Sequence, residues 1–554
     1  MGTIDYIVIV VFSLVIMMAG LAFRKRGGDM KSYFAAGGAV PWPINGLSLF
    51  MSFFSAGTFV VWGSIAYELG WVTITIQVGM CVGGFLVAYF IAPAWWKTNS
   101  LTAAEFVRNR LGAKPQQVYT YLILIVSLGN TGAFLYPVAK IVNVSTGFPI
   151  NACIIALGAL ILLYTVVGGL WAVIVTDVLQ FVILTAVVFV VVYLALDSVG
   201  GITEFVAKVP ENFFDWTSGE YTWGFVIAFA ITNTVFIGGN WAYVQRFTSV
   251  KDAKSAKKVG LTFSWLYLVS PFIWMLPPMI YRVINPSLGG LENEGAYLLI
   301  SKEVLPLGML GLMLGAMIFA TASSVNTTLN LAASVITNDL FKVIKPKASI
   351  KETMRVAKLS TLFFGIATII VALLVPAAGG IVNVVISIGA LTAASLYAPP
   401  IWALFSKRLS GKSILQVTVI SLAINLVVKL FATELFGASL STSNEMILGT
   451  GLPFVLLIIY EVVAECRNTT SQDYLNYLKL KVADDIAEED STSQNTFGFI
   501  VLSITLFVVG VLILILSFLA NESRGIIIVV GSIIILISSF IHPTFRQKIT
   551  FKKS

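Results

Sequence analysis

Again and again along this chain the residues turn apolar for about twenty positions, the length a helix needs to cross the hydrocarbon of a bilayer. Fifteen such segments can be drawn: 4–23, 41–70, 71–96, 117–146, 149–170, 172–198, 223–245, 260–283, 305–341, 357–379, 381–405, 412–436, 447–464, 497–520 and 524–541. Hydrocarbon offers no water to the backbone, so a spanning segment closes its own hydrogen bonds as a helix. With 58% hydrophobic and 11% charged residues and a mean hydropathy of +0.92, a soluble domain of this size is excluded. The expected fold class is an all-α polytopic membrane protein. The first segment has its basic residues after it and none before, so it reads as a retained span and not as a cleaved signal.

Charge placement orients the spans. With the N-terminus outside, the inner loops collect Arg24, Lys25, Arg26 and Lys31, then Lys97, Arg108, Arg110 and Lys114, and so on to Arg546, Lys548, Lys552 and Lys553. In all, 29 of the 35 Lys and Arg fall inside, as the positive-inside rule requires. The net charge of +8 therefore follows from topology and calls for no nucleic-acid partner. The lipid bilayer is the partner the composition demands. A short N-terminus and few outer cysteines point to a bacterial inner membrane. Cys81, Cys153 and Cys466 have no paired spacing, and the single histidine, His542, is placed for neither zinc nor a catalytic triad. A nucleotide-binding Gly-Lys-Ser/Thr loop and a nucleophile–base pair are both missing, so an enzyme is not expected.

Two spans are interrupted. The second opens Pro41-Trp-Pro43 and carries Asn45, Gly46, Ser48, Ser52, Ser55, Gly57 and Thr58. The seventh carries Asn233 and then Gly238-Gly239-Asn240. Paired broken helices, five spans apart, point to a transporter built from inverted repeats with its site at the breaks. The expected division is a leading span and inner loop (1–40), repeat one (41–198), an outer loop (199–222), repeat two (223–405), peripheral helices (406–465), an acidic inner linker (466–496) and two further spans with a basic tail (497–554).

Within the ninth span lies the polar run from Ala320 to Asn330. Ser323 and Thr327 stand one turn apart, as do Ser324 and Thr328, and Asn326 and Asn330 add amides. Such groups in lipid need partners inside the protein. Two readings are open: bonds back to the helix with close helix packing, or a small hard cation, which takes oxygen ligands. Asp177 is a carboxylate within the sixth span, where an acid is a functional candidate unless solvent or a helix cap accounts for it. Arg246 closes the seventh span, where surface anchoring is the plainest reading. Trp62, Trp71 and Phe236 are candidates for the wall of a substrate cavity.

At these residues the chain resembles the sodium/solute symporter family. The run Tyr164–Gln180 (YTVVGGLWAVIVTDVLQ) is similar to the family's signature between core helices 4 and 5. Val244-Gln245-Arg246 resembles the end of core helix 6, and the stretch from Ser323-Ser324 to Lys342 resembles core helix 8. The resemblance covers about residues 5–465. It implies a LeuT-type fold, five plus five inverted core helices with one helix before and about four after. It also implies coupling of Na+ entry to uptake of a small organic solute. The family's sodium site then falls on the carbonyls of Met51, Phe54 and Ala320 and the hydroxyls of Ser323 and Ser324. A second sodium in some relatives uses the positions of Asp177, Asn326 and Thr327, and Asp177 also lies on the sodium exit path. The solute is expected at Phe53, Thr58, Trp62, Asn233 and Phe236.

Sugar-carrying relatives place asparagine at Phe53, a polar side chain at Thr58 and a tyrosine at Phe236, and their acidic ligand on core helix 2 has no counterpart near Trp71. Apolar replacements weaken recognition of several hydroxyls. The expectation is therefore an amino acid, a monocarboxylate or a vitamin-like acid before a hexose. A solute sensor on the same fold and a proton-coupled symporter, with Asp177 as the titrating group, are the alternatives. Substrate, stoichiometry and oligomeric state are not legible.

Overall fold

The computed structural model describes residues 1–22, 40–100, 102–164, 169–336, 349–437, 440–483, 492–520 and 523–543, with residues 341 and 345 besides. The basic residues 24–31, part of the Tyr164–Gln180 run, the acidic cluster 484–490 and the basic tail lie outside the described residues. Most of those described are helical, with β-pairing among them limited to one isolated bridge between Ser218 and Tyr221.

Helix α1 (Thr3–Leu21) leads. Helix α2 (Trp42–Met51) starts directly after Pro41, where a fixed φ and a missing N–H cost nothing. It stops at Ser52, and the chain resumes through a π-helical turn, Thr58–Trp62, into α3 (Gly63–Leu69). Helix α4 (Val72–Leu86) continues through a second π turn to Trp96. A short α5 (Ala103–Leu111), N-capped by Thr102, precedes α6 (Ala113–Thr146), α7 (Ile150–Tyr164) and α8 (Gly169–Ser198). Next come α9 (Trp223–Gly239) and α10 (Trp241–Thr248), bent 63° to one another, then α11 (Ala253–Trp274), α12 (Leu276–Ile284) and α13 (Ala296–Val304). Helices α14 (Met309–Val335), α15 (Ile350–Leu374), α16 (Ile381–Phe405), α17 (Gly411–Leu430), α18 (Thr442–Cys466), α19 (Gln472–Ala483), α20 (Thr492–Ser517) and α21 (Arg524–Ile541) complete the order. Among the described residues, the apolar segments read from the sequence are mainly helical, and nine described helical stretches are long and apolar enough to cross a membrane.

Packing sorts the core into two groups. The broken pair α2–α3, α4, the broken pair α9–α10 and α11 pack together, and α6, α7, α14 and α15 pack together. Helix α8 lies across the seam against α2 and α14, and α16 lies across it against α9 and α6. The two runs of five thus pack in the same way with partners exchanged: first two members in one group, next two in the other, last across the seam.

The leading helix is fastened to the core by a buried acid. Asp5 Oδ1 accepts the N–H of Gly308 (2.8 Å) and of Gly311 (3.1 Å) where α14 begins. Any Cβ on Gly311 would stand 2.3 Å from the Asp5 carbonyl, so only glycine admits α1 this close. Helices α20 and α21 form a hairpin in which Ser503 and Ser538 each donate a hydroxyl to the other's carbonyl at 2.9 Å, and it packs on α8 and α1. The first half of the segment read as a linker is instead helical. Tyr477 of α19 meets Phe106 of α5 edge-on at 5.8 Å, and Asp473 Oδ2 accepts the Gly411 N–H at 2.8 Å. Two aromatics at i and i+3, Tyr474 and Tyr477, give α19 a face to dock, a signal present in the sequence.

Candidate site at the two helix breaks

A helix that stops inside a membrane frees carbonyls that must find other partners. After Met51 the chain runs irregularly to Gly57. Phe54 N–H bonds back to the Met51 carbonyl (3.1 Å), and the Thr58 hydroxyl donates to the Phe53 carbonyl (3.0 Å). Ala56 N–H reaches across to Thr321 Oγ1 on α14 at 3.4 Å. That contact sets the break beside Ala320, with Met51, Phe54 and Ala320 all buried. Ser324 lies one turn on, its hydroxyl at 3.4 Å from the Ala320 carbonyl, a weak bond that leaves the oxygen little committed. The side chains of Ser323, Asn326 and Thr327 lie outside the described residues. Carbonyls freed by a break, next to a hydroxyl-bearing helix, are the donor set a hard monovalent cation takes.

The second break sits at Asn240. Its ψ of 127° ends α9, and its side chain caps α10 by accepting the Ala242 N–H at 3.0 Å, a favoured use of asparagine. Its amide also donates to Tyr397 Oη at 3.3 Å. Around the two breaks stands a cage of rings. Phe53 lies 4.6 Å from Tyr243, 5.2 Å from Phe263 and 5.9 Å from Phe236. Phe236 meets Tyr397 at 5.6 Å, and Phe263 meets Tyr267 at 4.7 Å. Of the residues expected at the solute, Phe53 and Phe236 face each other here. Trp62 packs edge-on to Phe229, Asn233 spends its amide on the Phe229 carbonyl, and Thr58 is engaged within the break. Trp71, a candidate wall, instead meets Phe214 and Trp216 in the 199–222 loop, and Phe272.

Sequence reasoning missed one polar group that matters. Gln77 of α4 is fully buried, and both its amide atoms lack a partner within the described residues. It lies two turns from Gly84, whose face abuts Phe263 and Ser264, and so on the side of α4 turned to α11. A buried amide left unpaired costs free energy that a ligand can recover. An uncharged amide in an apolar span was the available signal.

Asp177 and Arg246 are neither solvated nor anchored at a surface. They are 6% and 5% exposed and stand 3.6 Å apart. Ser48 of α2 donates to Asp177 Oδ2 at 2.6 Å and accepts from Arg246 Nε at 3.3 Å. Asn45 Nδ2 donates to the Arg246 carbonyl at 2.7 Å. Four residues therefore tie α2, α8 and α10 together beyond the breaks. The plain reading of Arg246 as an anchor failed because its partner lies about seventy residues away in sequence.

Ten helices in two exchanged sets of five, each set opening with a broken helix, define a LeuT-type transporter fold. The chain belongs to the sodium:solute symporter family, whose model matches residues 33–421. It is 28% identical over 402 residues to the sodium/glucose cotransporter 1 of Ovis aries, covering 64% of this chain and 60% of that one. It is 26% identical over 382 residues to the sodium/sialic acid symporter SiaT of Proteus mirabilis, covering 66% and 77%. The matched region thus spans about 60% of the length of the glucose cotransporters it resembles. Among solved structures, a Na+-coupled sialic acid symporter in a substrate-bound outward-open state superposes with a TM-score of 0.69 at 22% identity, covering 85% of this chain and 99% of that one. A nucleobase-cation-symport-1 family transporter superposes with a TM-score of 0.51 at 16% identity, covering 81% and 99%.

Proposed function

We propose that this chain is a secondary transporter that couples Na+ entry to uptake of a small organic solute by alternating access. The observation that carries the reading is the contact of Ala56 with Thr321, which brings the break after Met51 against the helix of Ala320, Ser323 and Ser324. Na+ is assigned to the carbonyls of Met51, Phe54 and Ala320 and the hydroxyls of Ser323 and Ser324. The two repeats are assigned to 41–198 and 223–405, and the face where α1 begins to the outside, as the Lys and Arg distribution asks. On that orientation Asp177, Arg246 and Ser48 close the inner side, and sodium leaves past them, the negative interior favouring entry by about 2.3 kcal/mol per charge per 100 mV. Asp177, Asn326 and Thr327 remain the candidates for a second ion.

The described rings of the cage and Gln77 offer aromatic faces, one amide and no ionised side chain. They suit a solute with an apolar body and a hydrogen-bonding edge, and a solute carboxylate would face the bound sodium. An amino acid, a monocarboxylate or a vitamin-like acid fits. Relatives named for glucose, inositol and sialic acid keep sugars within the reading, and Gln77 supplies the polar group on core helix 2 that a sugar would need.

The test is the thermal stability of purified protein in Na+ against K+ at equal ionic strength, for the wild type and Ser324→Ala, followed by the same solute classes in sodium and uptake into proteoliposomes. A ligand of the folded state raises its stability by mass action. A sodium-specific shift that Ser324→Ala removes is the expected result. Equal stability in the two salts, with uptake that ignores the sodium gradient, sinks the sodium reading.

A further inference from the structure

Helix α19 (Gln472–Ala483) lies between two spans, after α18 and before α20. Only residues 467–471 separate it from the end of α18 at Cys466, a reach of about 20 Å at full extension. Two bonds place it more closely. Ser471 N–H donates to the Lys407 carbonyl (3.1 Å), just beyond the end of α16, and Asp473 Oδ2 accepts the Gly411 N–H (2.8 Å), where α17 begins. The helix therefore sits at the level where α16 and α18 end and α17 starts, which is the headgroup layer of a bilayer.

The sides of α19 differ. Tyr474 and Tyr477, one turn apart, face the protein: the Arg110 guanidinium of α5 lies over the Tyr474 ring at 5.1 Å, and Tyr477 meets Phe106. Arg110 is 1% exposed, and its Nη2 donates to the carbonyls of Ser406 (2.7 Å) and Leu409 (3.3 Å). Helices α5 and α19 and the turn before α17 are thus one cluster. Leu475 and Leu478, also one turn apart, are 41% and 40% exposed. Lys479, one turn beyond Leu475, is exposed, as are Lys407, Lys412 and Arg467 around the cluster. These four cations make no ion pair among the described residues, whereas the acids beside them are engaged. Glu465 holds Arg408 (3.1 Å), Glu461 accepts from Ser406 Oγ and Trp402 Nε1, and Asp473 takes the Gly411 N–H. An apolar strip edged by unpaired cations, held at headgroup depth, is complementary to a surface of anionic lipid.

We propose that Leu475, Leu478 and Lys479 dock α19 into anionic lipid on the basic face of the membrane, and that lipid seated there steadies α5, the stretch that joins α4 of the first packing group to α6 of the second. The inference takes the basic face to be the inner one, as in the orientation proposed above.

The test is hydrogen exchange of the full chain in nanodiscs, which leave both faces open, made of phosphatidylcholine alone or with phosphatidylglycerol added. The amides of α19 are expected to exchange at least fivefold more slowly with phosphatidylglycerol, those of α5 to slow with them, and the contrast to shrink in high salt. Lys479→Gln is expected to remove about fivefold of the protection, the worth of one cation at an anionic surface. Leu475→Gln with Leu478→Gln is expected to remove the rest. These side chains are exposed and glutamine is a good helix former, so the variants keep the helix and change what it meets. Equal exchange of α19 in the two lipids, as a protein partner or bare water on this face would give, overturns the docking, and a response confined to α19 overturns the tie to α5. The choice of face is read separately. Asn476→Cys, in a chain with Cys81, Cys153 and Cys466 changed to alanine, is expected to react with a membrane-impermeant thiol reagent only in opened cells. Reaction in intact cells would overturn the inner-face assignment, while the nanodisc result would still decide the docking.

Discussion

Arg246 Nη2 and Asp177 Oδ2 lie 3.6 Å apart, with the Ser48 hydroxyl bonded to both side chains. The three come from α10, α2 and α8, so the pair measures whether the first and sixth core helices and the fifth are locked together below the breaks. Removing one charge strands the other in a buried site. Asp177→Asn and Arg246→Gln are each expected to lower stability by about 3–5 kcal/mol, and the double variant by clearly less than their sum. A double-mutant cycle on thermal unfolding reads this, and additive losses would show that the pair is not coupled. In uptake, Asp177→Asn also separates the coupling ions. It changes sodium dependence if sodium drives transport and abolishes uptake if protons do.

Gln77 makes an opposite prediction, because its buried amide has no partner among the described residues. Gln77→Leu keeps the approximate volume and removes a buried group without a partner among the described residues. The expected outcome is a protein about 1 kcal/mol more stable without solute, whose solute KM rises by about tenfold or more while its sodium-dependent stabilisation holds. A loss of stability in the empty protein would mean that the amide is satisfied and that its role is structural.

The fold was largely legible because membrane helices announce themselves by length, and because Ser52–Gly57 and Gly238–Asn240 carry the small and polar residues that break them. The Thr321 contact to the first break follows from the same polar run that drew notice. Long-range pairing was not legible. Nothing local in Glu294, set in a loop among other acids, points to the Tyr136 hydroxyl or to the first N–H of α16, both of which its carboxylate accepts. Arg246 looked like a surface residue because arginines at span ends usually are. Gln77 carries no charge, so it did not stand out as Asp177 did, although its amide is without a partner among the described residues.

On the basic face, Glu352 completes a capping box with Ser349 before α15 and bonds Lys345 at 2.7 Å. The Lys345 bond, with those from Ser349, pushes its carboxyl down to about 2 from an ordinary 4.5. A carboxylate depressed on folding stabilises fully above its unfolded value and loses that contribution as the pH falls towards the folded one. The stability difference between wild type and Glu352→Gln should therefore be level from pH 7 to about 5 and vanish between about 4.5 and 2. It should also shrink in high salt, since the pair is exposed. Melting curves across that range check it, and a difference that grows on acidification would contradict the assignment.

Asp5 extends the argument to the helix outside the ten-helix core. Its carboxylate accepts two N–H groups at the start of α14, the helix that carries Ala320, Ser323 and Ser324, and Gly311 admits the Asp5 backbone at a distance no other residue allows. The leading helix thereby fixes the start of the helix to which sodium is assigned. Asp5→Ala leaves two helix-start donors without an acceptor and is expected to cost about 1–2 kcal/mol. Gly311→Leu forces α1 away altogether and is expected to cost more, because backbone and not a flexible side chain stands in its way. If the anchor also sets the register of α14 against the break, both variants weaken apparent sodium affinity beyond what lost stability explains. Sodium titrations followed by intrinsic tryptophan fluorescence, at a temperature where each variant is fully folded, separate the two effects. A sodium midpoint unchanged in Asp5→Ala would confine α1 to a structural role, with the helix to which sodium is assigned held in place by its packing against α6, α8 and α15.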